Sequence, residues 1–399
     1  MTYAIRTPAT ADEAEQSRRL AHEAFGMPAQ PPTGPAELTA PGATVLAAFD
    51  GDRMAGRLTD RQYESWFGGR LVPTSGIGGV TVAMEDRGRG LLTPLFERLF
   101  AVAAEHGAVI STLYPSASAI YRRLGYEVIG SAETARVPIA ALSRVRRPSG
   151  MITRRATVAD VTAIREVYDR WAAAHNGPLS RRGPSFPATD QELINSFTGI
   201  TVAERDGAVV GYASWQRGQG WGADAVLSVS DLFADSADGY RALLADFGSF
   251  ASILGELSIG TSGLDLVRHL MPTSDWRVGQ CDPYMLKIID VPGALAARGY
   301  PAALSITVDF AVAGDPITGT DGSYRLEIAA GSATCRRTAD HAGADDLPTF
   351  TPNGLAIAYA GAQSAAGIRA VGGLTGPAVD DESWNLIFGG RPVRIHDHF

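Results

Sequence analysis

Apolar residues recur along this chain with two different periods. Short runs and alternation predict strands at residues 3–6, 44–49, 77–83, 108–114 and 126–137. Spacing of three to four residues predicts a helix over 91–106, stopped by Gly107, and a shorter one over 116–124. Thr10 followed by Glu13 has the form of a capping box, so a helix should open near Asp12. Residues 27–42 read as a Pro/Gly-rich loop, and Asp50-Gly51 as the tight turn of a hairpin.

The pattern then begins again. Residues 154–160 (RRATVAD) echo residues 6–12 (RTPATAD), each leading into a helical stretch, which predicts an internal duplication. A second hairpin is expected from 201–204, Asp206-Gly207 and 209–216, with 226–230 in the place that 77–83 holds in the first half. From Val291 the pattern changes to strands at 304–310, 324–329 and 333–337, followed by helices near 353–359 and 363–371, a small α+β unit. Residues 143–150, with three arginines, a proline and a glycine, read as a linker. Three domains are expected, at 1–145, 151–290 and 291–399.

Composition narrows the functional classes. Hydrophobic residues make up 45% and charged residues 20%, as in a soluble globular chain. The net charge of −8 with no basic block argues against a nucleic-acid partner and suits a cationic substrate. Lys287 is the only lysine. Cys281 and Cys335 form neither a disulfide framework nor a zinc spacing and read as packing residues. No stretch approaches 18 apolar residues and no leader pattern opens the chain, so a cytoplasmic protein without a membrane partner is expected. His396 and His398 alternate near the end, but two ligands without a third do not make a metal site, and none is expected. His22 and His106 read as surface or boundary residues.

The segment that carries chemistry is 79–92, GVTVAMEDRGRGLL. A strand delivers the chain into a Gly/Arg turn and a helix starts at once, so unpaired amides and the positive helix end converge on one spot. Gly88 and Gly90 allow close backbone approach, Arg87 and Arg89 add charge-assisted bonds, and the amides of Leu91 and Leu92 complete a cradle for a diphosphate. Neither a Walker loop nor a dinucleotide fingerprint is present. The equivalent stretch of the second half, Asp231-Leu232-Phe233-Ala234-Asp235, has no such arginine or glycine, and its phosphate site is expected to be lost.

At this point the chain resembles the GNAT superfamily, whose acetyl-CoA signature is Arg/Gln-x-x-Gly-x-Gly/Ala after a strand. Arg87 and Gly90 match; Leu92 does not, and Met84 stands where a proline is common. Residues 121–126, YRRLGY, match the second signature, Tyr-x-x-x-Gly-Phe/Tyr. The layout is similar to the enhanced intracellular survival (Eis) branch: two tandem GNAT-type α/β domains, the central one degenerate, then a sterol-carrier-protein-like α+β domain. Residues 66–73 (WFGGRLVP) and the spacing from Ser116 to Tyr121 also resemble that branch.

The resemblance implies acetyl-CoA as co-substrate, with Val80 and Val82 at the acetyl group, Ser116 near the tyrosine or the thiol, and Tyr121 as general acid. It implies direct transfer through a tetrahedral intermediate to a primary amine, an aminoglycoside-like polyamine or a lysine side chain, in a homo-oligomer, a hexamer in the family. Phe399 would bring a terminal carboxylate to the site, as base or as orienter of the ammonium. Trp66 and Phe67 read either as hairpin core or, by the resemblance, as a wall of the substrate channel. A non-catalytic acyl-CoA or lipid-binding protein is the alternative from another class; its turn would bind the donor without releasing a thiol.

Overall fold

The computed structural model describes residues 3–26, 40–263, 265–338 and 347–399. Most of the predicted loop at 27–42 therefore lies outside the described residues.

The first lobe opens with β1 (Ala4–Arg6) and α1 (Ala11–Phe25). The Thr10–Glu13 capping box forms, and Arg6 bonds the same glutamate. A meander follows, β2 (Ala43–Asp50), β3 (Arg53–Phe67) and β4 (Arg70–Val82). After it come α2 (Leu92–Glu105), β5 (Ile110–Leu113), the short α3 (Ser118–Arg122), β6 (Glu127–Pro138) and α4 (Ile139–Leu142). α2 buries Leu95, Phe96, Leu99 and Phe100 against the sheet, on one face as its spacing requires.

The second lobe repeats the device. β7 (Met151–Arg155) leads to a capping box at Thr157 and Asp160, and Arg154 bonds Asp160 at 2.7 Å. Then come α5 (Val161–Ala173), α6 (Asp190–Asn195), β8 (Gly199–Arg205), β9 (Ala208–Arg217) and β10 (Gly222–Ala234). Asp206 and Gly207 both take positive φ, 53° and 80°, the turn whose twist matches a tight hairpin. α7 (Ala237–Gly248), β11 (Leu254–Thr261) and β12 (Arg277–Ile288) complete the lobe.

The two lobes share one sheet, ordered β1-β2-β3-β4-β5-β12-β6-β11-β10-β9-β8-β7 among the described residues. β6 lies between β11 and β12, so the last strand of the first half is bonded on both edges by the second. Sequence patterning did not predict β11 or β12, each of which pairs with β6, more than a hundred residues away.

The third lobe comprises α8 (Val291–Ala297), β13 (Ile306–Val312), β14 (Gly322–Ala329), β15 (Ser332–Arg337), β16 (Thr349–Phe350), α9 (Pro352–Ala360), α10 (Ala365–Ala370), β17 (Leu374–Thr375) and α11 (Asp381–Phe388). Its sheet runs β15-β14-β13-β16-β17. α9, apolar on every side, is buried between this sheet and the first lobe. Cys335 is half-buried, and burial pushes its thiol up to about 12. Cys281 is exposed on β12 and is not the packing residue expected. No helix among the described residues is long and apolar enough to cross a membrane.

Candidate active site

β4 and β5 run parallel and pair from Thr74 opposite Ile110 to Ile77 opposite Leu113. There the pairing ends, while β4 continues to Val82 bonded to β3 alone, with a register shift opposite Arg57 and Thr59. The two strands therefore part, and residues 78–82 turn one edge away from any strand. Val80 and Val82 are half-buried on this stretch, their side chains against the core of the first lobe. What they offer a ligand is main chain.

Beyond Val82 a turn of 3-10 helix, Met84–Asp86, leads to the Gly/Arg segment. The Asp86 carboxylate is buried and accepts bonds from Arg53 at 2.6 and 3.2 Å and from the Tyr3 hydroxyl at 2.9 Å. Arg53 above all holds that carboxyl below its usual range. Arg89 lies 3.4 Å from the same carboxylate, which fixes the base of the turn.

Arg87 is exposed, and its guanidinium makes a long bond of 3.4 Å to the Val82 carbonyl. Gly88 and Gly90 have φ of 78° and 74°, left-handed backbone that any side chain would strain, and the space over both is open. α2 begins with no side-chain cap and no acid in its first turn, while Leu91 is buried beneath it. Open amides, a helix N-terminus and an exposed arginine together fit a diphosphate.

Tyr121 lies on α3, 5% exposed, edge-on to Phe96 and Tyr126. Burial raises its phenol above the ordinary value, and a hydrogen bond with Ser116 opposes that rise. Ser116 was expected to cap this helix; instead Ala117 holds the N-cap position and the Ser116 hydroxyl turns to Tyr121. The helix is accordingly shorter than predicted. Asn353 of α9 bonds the carbonyls of Tyr126 and Arg122, at 2.7 and 3.2 Å, and so braces the tyrosine's turn from the third lobe.

The final residues thread between the first two lobes. The Phe399 ring packs 5.0 Å from Tyr63 and 5.6 Å from Tyr114, and its carbonyl carbon lies 3.9 Å from where a Cβ on Gly78 would be. Phe399 thus reaches the point where β4 leaves β5. A Cβ on the preceding inward glycine, Gly76, would collide with the Tyr63 ring, so this close packing requires glycine there.

Arg181 holds the tail. It bonds Asp397 at 2.7 Å and both oxygens of Asp231 at 2.8 Å, over the Tyr168 ring at 4.0 Å. Tyr168 also donates to Asp397 at 3.0 Å, Tyr114 donates to the Asp397 carbonyl at 2.6 Å, and His396 lies 2.9 Å from Asp231. His398 stacks on Tyr114 at 4.6 Å. The two histidines therefore face different partners, and no group of three or more potential metal ligands occurs among the described residues.

Asp231 was read as the start of a broken turn. It is instead a strand residue, because β10 runs on to Ala234 with this carboxylate buried against Arg181 and His396. Trp66 and Phe67 are not brought to the parting of β4 and β5. Phe67 is 0% exposed, 5.0 Å from Tyr359 of the third lobe, and Trp66 packs on the Ile164 cluster of the second. Both take the hairpin-core reading, since the register sets them opposite Leu71 and Arg70, at the far end of β4. Sequence reasoning missed Tyr63, Tyr114 and Arg181, each of which gains its position through the tail. No local motif marks them.

Comparison with known proteins bears on this geometry. Family models described as acetyltransferase (GNAT) domains match residues 5–129 and 177–291, and one described as a sterol carrier protein domain matches 291–393. An uncharacterized N-acetyltransferase of Streptomyces avermitilis is 30% identical over 348 residues, covering 82% of each chain. The N-acetyltransferase Eis of Mycobacterium tuberculosis is 28% identical over 294 residues, 67% of each. A GCN5-related N-acetyltransferase from Kribbella flavida superposes with a TM-score of 0.84 at 27% identity, over 100% of this chain and 99% of that one.

Proposed function

The chain belongs to the Eis-type branch of the GNAT N-acetyltransferases, and from that premise we propose that it transfers acetyl from acetyl-coenzyme A directly to a primary amine. The observation that carries this reading is the parting of β4 from β5 beyond Ile77 and Leu113, beside a turn that fits a diphosphate. Arg87, Gly88, Arg89 and Gly90 hold the pyrophosphate with the amides of Leu91 and Leu92. The main chain at Val80 and Val82 then runs along the acyl arm, and amides near Val82 stabilise the oxyanion of a tetrahedral intermediate.

Tyr121 serves the departing sulfur. Full transfer from a phenol of pKa near 10 to a thiolate whose conjugate acid is near 8.5 is uphill by about 2 kcal/mol, and burial of the phenol widens that gap. Tyr121 therefore acts best by a hydrogen bond that strengthens as the C–S bond breaks, with Ser116 behind it. Where Phe399 ends the chain, its carboxylate is placed to orient the substrate. Moving a proton from an amine of pKa about 10.4 to an α-carboxylate near 3.5 would cost roughly 9 kcal/mol, so ion pairing is the role its chemistry supports; the ammonium gives one proton to solvent before the neutral amine attacks, and the second N–H proton ends on the expelled thiolate. The homohexamer implied by the resemblance and the cytoplasmic setting expected from the sequence belong to the same proposal.

The test is coenzyme A thiol release across an amine panel, with intact protein, Tyr121→Phe and a form lacking Phe399. Loss of release in Tyr121→Phe with donor binding retained is expected. A protein that binds acetyl-coenzyme A yet releases thiol with no amine is a binding module instead.

A further inference from the structure

Two cavities, of about 530 and 510 Å³, lie beneath the segment that carries α6 and share Arg181, Phe186, Leu193, Phe197 and Asp231. Phe186 connects them to the transfer site, because its ring lies 5.4 Å from Tyr63, which packs on Phe399. Their volumes suit a small organic molecule.

The larger cavity is walled by rings and aliphatic groups, among them Ile164, Tyr168, Phe197, Ile200 and Tyr212. Its charged groups already have partners. Arg165 pairs with Asp190 at 2.7 Å, Asp169 with Arg182, and Asp231 with Arg181, while Glu192 accepts from the amide and hydroxyl of Thr189 at 2.7 Å. A ligand with several ammonium groups would have to break these pairs or leave its charges without counter-ions, and either is costly. The other cavity differs: Glu133, whose carboxylate accepts from the Ser131 hydroxyl at 2.6 Å, lines it with Ser230 beside the tail, next to the Asp397 that Arg181 already holds. One end thus attracts a single cation and the other an apolar body.

Resting on the amine-acetyltransferase reading above, we propose that the acceptor is an amphipathic monoamine of the arylalkylamine class. Its ammonium lies on the tail side of these adjoining cavities, and its ring or chain among Ile164, Leu193, Phe197 and Ile200. This departs from the polycationic acceptor that the resemblance implies.

The experiment measures thiol release by the full chain with 2-phenylethylamine and with kanamycin, in wild type, Leu193→Asp and Phe197→Ala, with acetyl-coenzyme A affinity measured by calorimetry as a check on folding. We expect kcat/KM for 2-phenylethylamine to exceed that for kanamycin by about tenfold or more. We also expect either variant to lower the 2-phenylethylamine value by about tenfold with donor affinity unchanged. Preference for kanamycin, or 2-phenylethylamine turnover untouched by both variants, overturns the acceptor class and leaves acetyl transfer standing. Thiol release with neither of these amines overturns the acceptor class, whereas release with no amine of the wider panel overturns the acetyltransferase reading itself.

Discussion

Replacing Arg181 with methionine tests whether the tail is held by charge. The guanidinium is the one cation bonded to both Asp231 and Asp397 among the described residues, and those carboxylates are only 9% and 12% exposed. Removing it leaves two like charges facing each other in a poorly hydrated site, a change that typically costs roughly 3 to 5 kcal/mol. The bond from His396 to Asp231 offsets part of this, so about 3 kcal/mol is expected.

The pH dependence has a definite sign. Burial alone would raise the Asp231 carboxyl, but the Arg181 charge, followed by bonds from His396 and Arg181, holds it far below the carboxylate range. A depressed folded value gives stability that is present above the unfolded value near 3.9 and is lost as pH falls toward the folded one. The gap between wild type and Arg181→Met is therefore widest above about pH 5 and narrows as pH falls through the carboxylate range. Urea unfolding followed by intrinsic tryptophan fluorescence, to which Trp171, 5.7 Å from His396, contributes, measures the loss. A double-mutant cycle with Asp397→Asn isolates the pair. A coupling below about 0.5 kcal/mol, or a gap that widens in acid, would refute the reasoning.

Four further outcomes are expected. Tyr121→Phe should lower kcat by about a hundredfold or more with little change in donor affinity, as read by steady-state kinetics and calorimetry. Arg87→Ala should weaken acetyl-coenzyme A binding by roughly tenfold to a hundredfold in calorimetry, an effect that shrinks with added salt. Lys287, 0% exposed and bonded to Asp315 at 2.8 Å, should stay unacetylated by mass spectrometry after prolonged incubation with donor; Lys287→Met should cost about 3 kcal/mol or more in urea unfolding, because Asp315 then stays buried without its cation.

How legible was all this in the chain? The repeated Arg–Thr–acid openings, the two hairpins and the Gly/Arg turn are local devices, and each formed where its residues stand. Tyr121 and Ser116 were legible as neighbours, but not their bond, because a serine two residues before a helix reads as a cap until a buried phenol claims it. Trp66 and Phe67 show the opposite limit. Their burial depends on Tyr359 and Ile164, residues from two other lobes, and no periodicity within β3 encodes those contacts. Arg181 was invisible for the same reason: its partners lie 50 and 216 residues away. It also sits at φ 53°, where an arginine is costly, a conformation that the surrounding ion pairs stabilise.

The two halves make an internal control for the chemistry. Both deliver a strand toward a helix, α2 in one and α7 in the other. In the first half the helix starts without a side-chain cap, after two left-handed glycines under open space. In the second, Ser236 caps α7 by accepting from the Gly239 amide, and Asp238 adds an acid to the first turn. A capped, acid-bearing helix start has spent its amide and opposes an anion, whereas the uncapped one retains the full attraction of its N-terminus. Asp231, on the strand before α7, is half of the grip on Asp397, so the second lobe anchors the tail beside Gly78. That grip reaches the parting of β4 and β5 through Phe399, so breaking Arg181 should be felt in the first lobe as lowered thiol release.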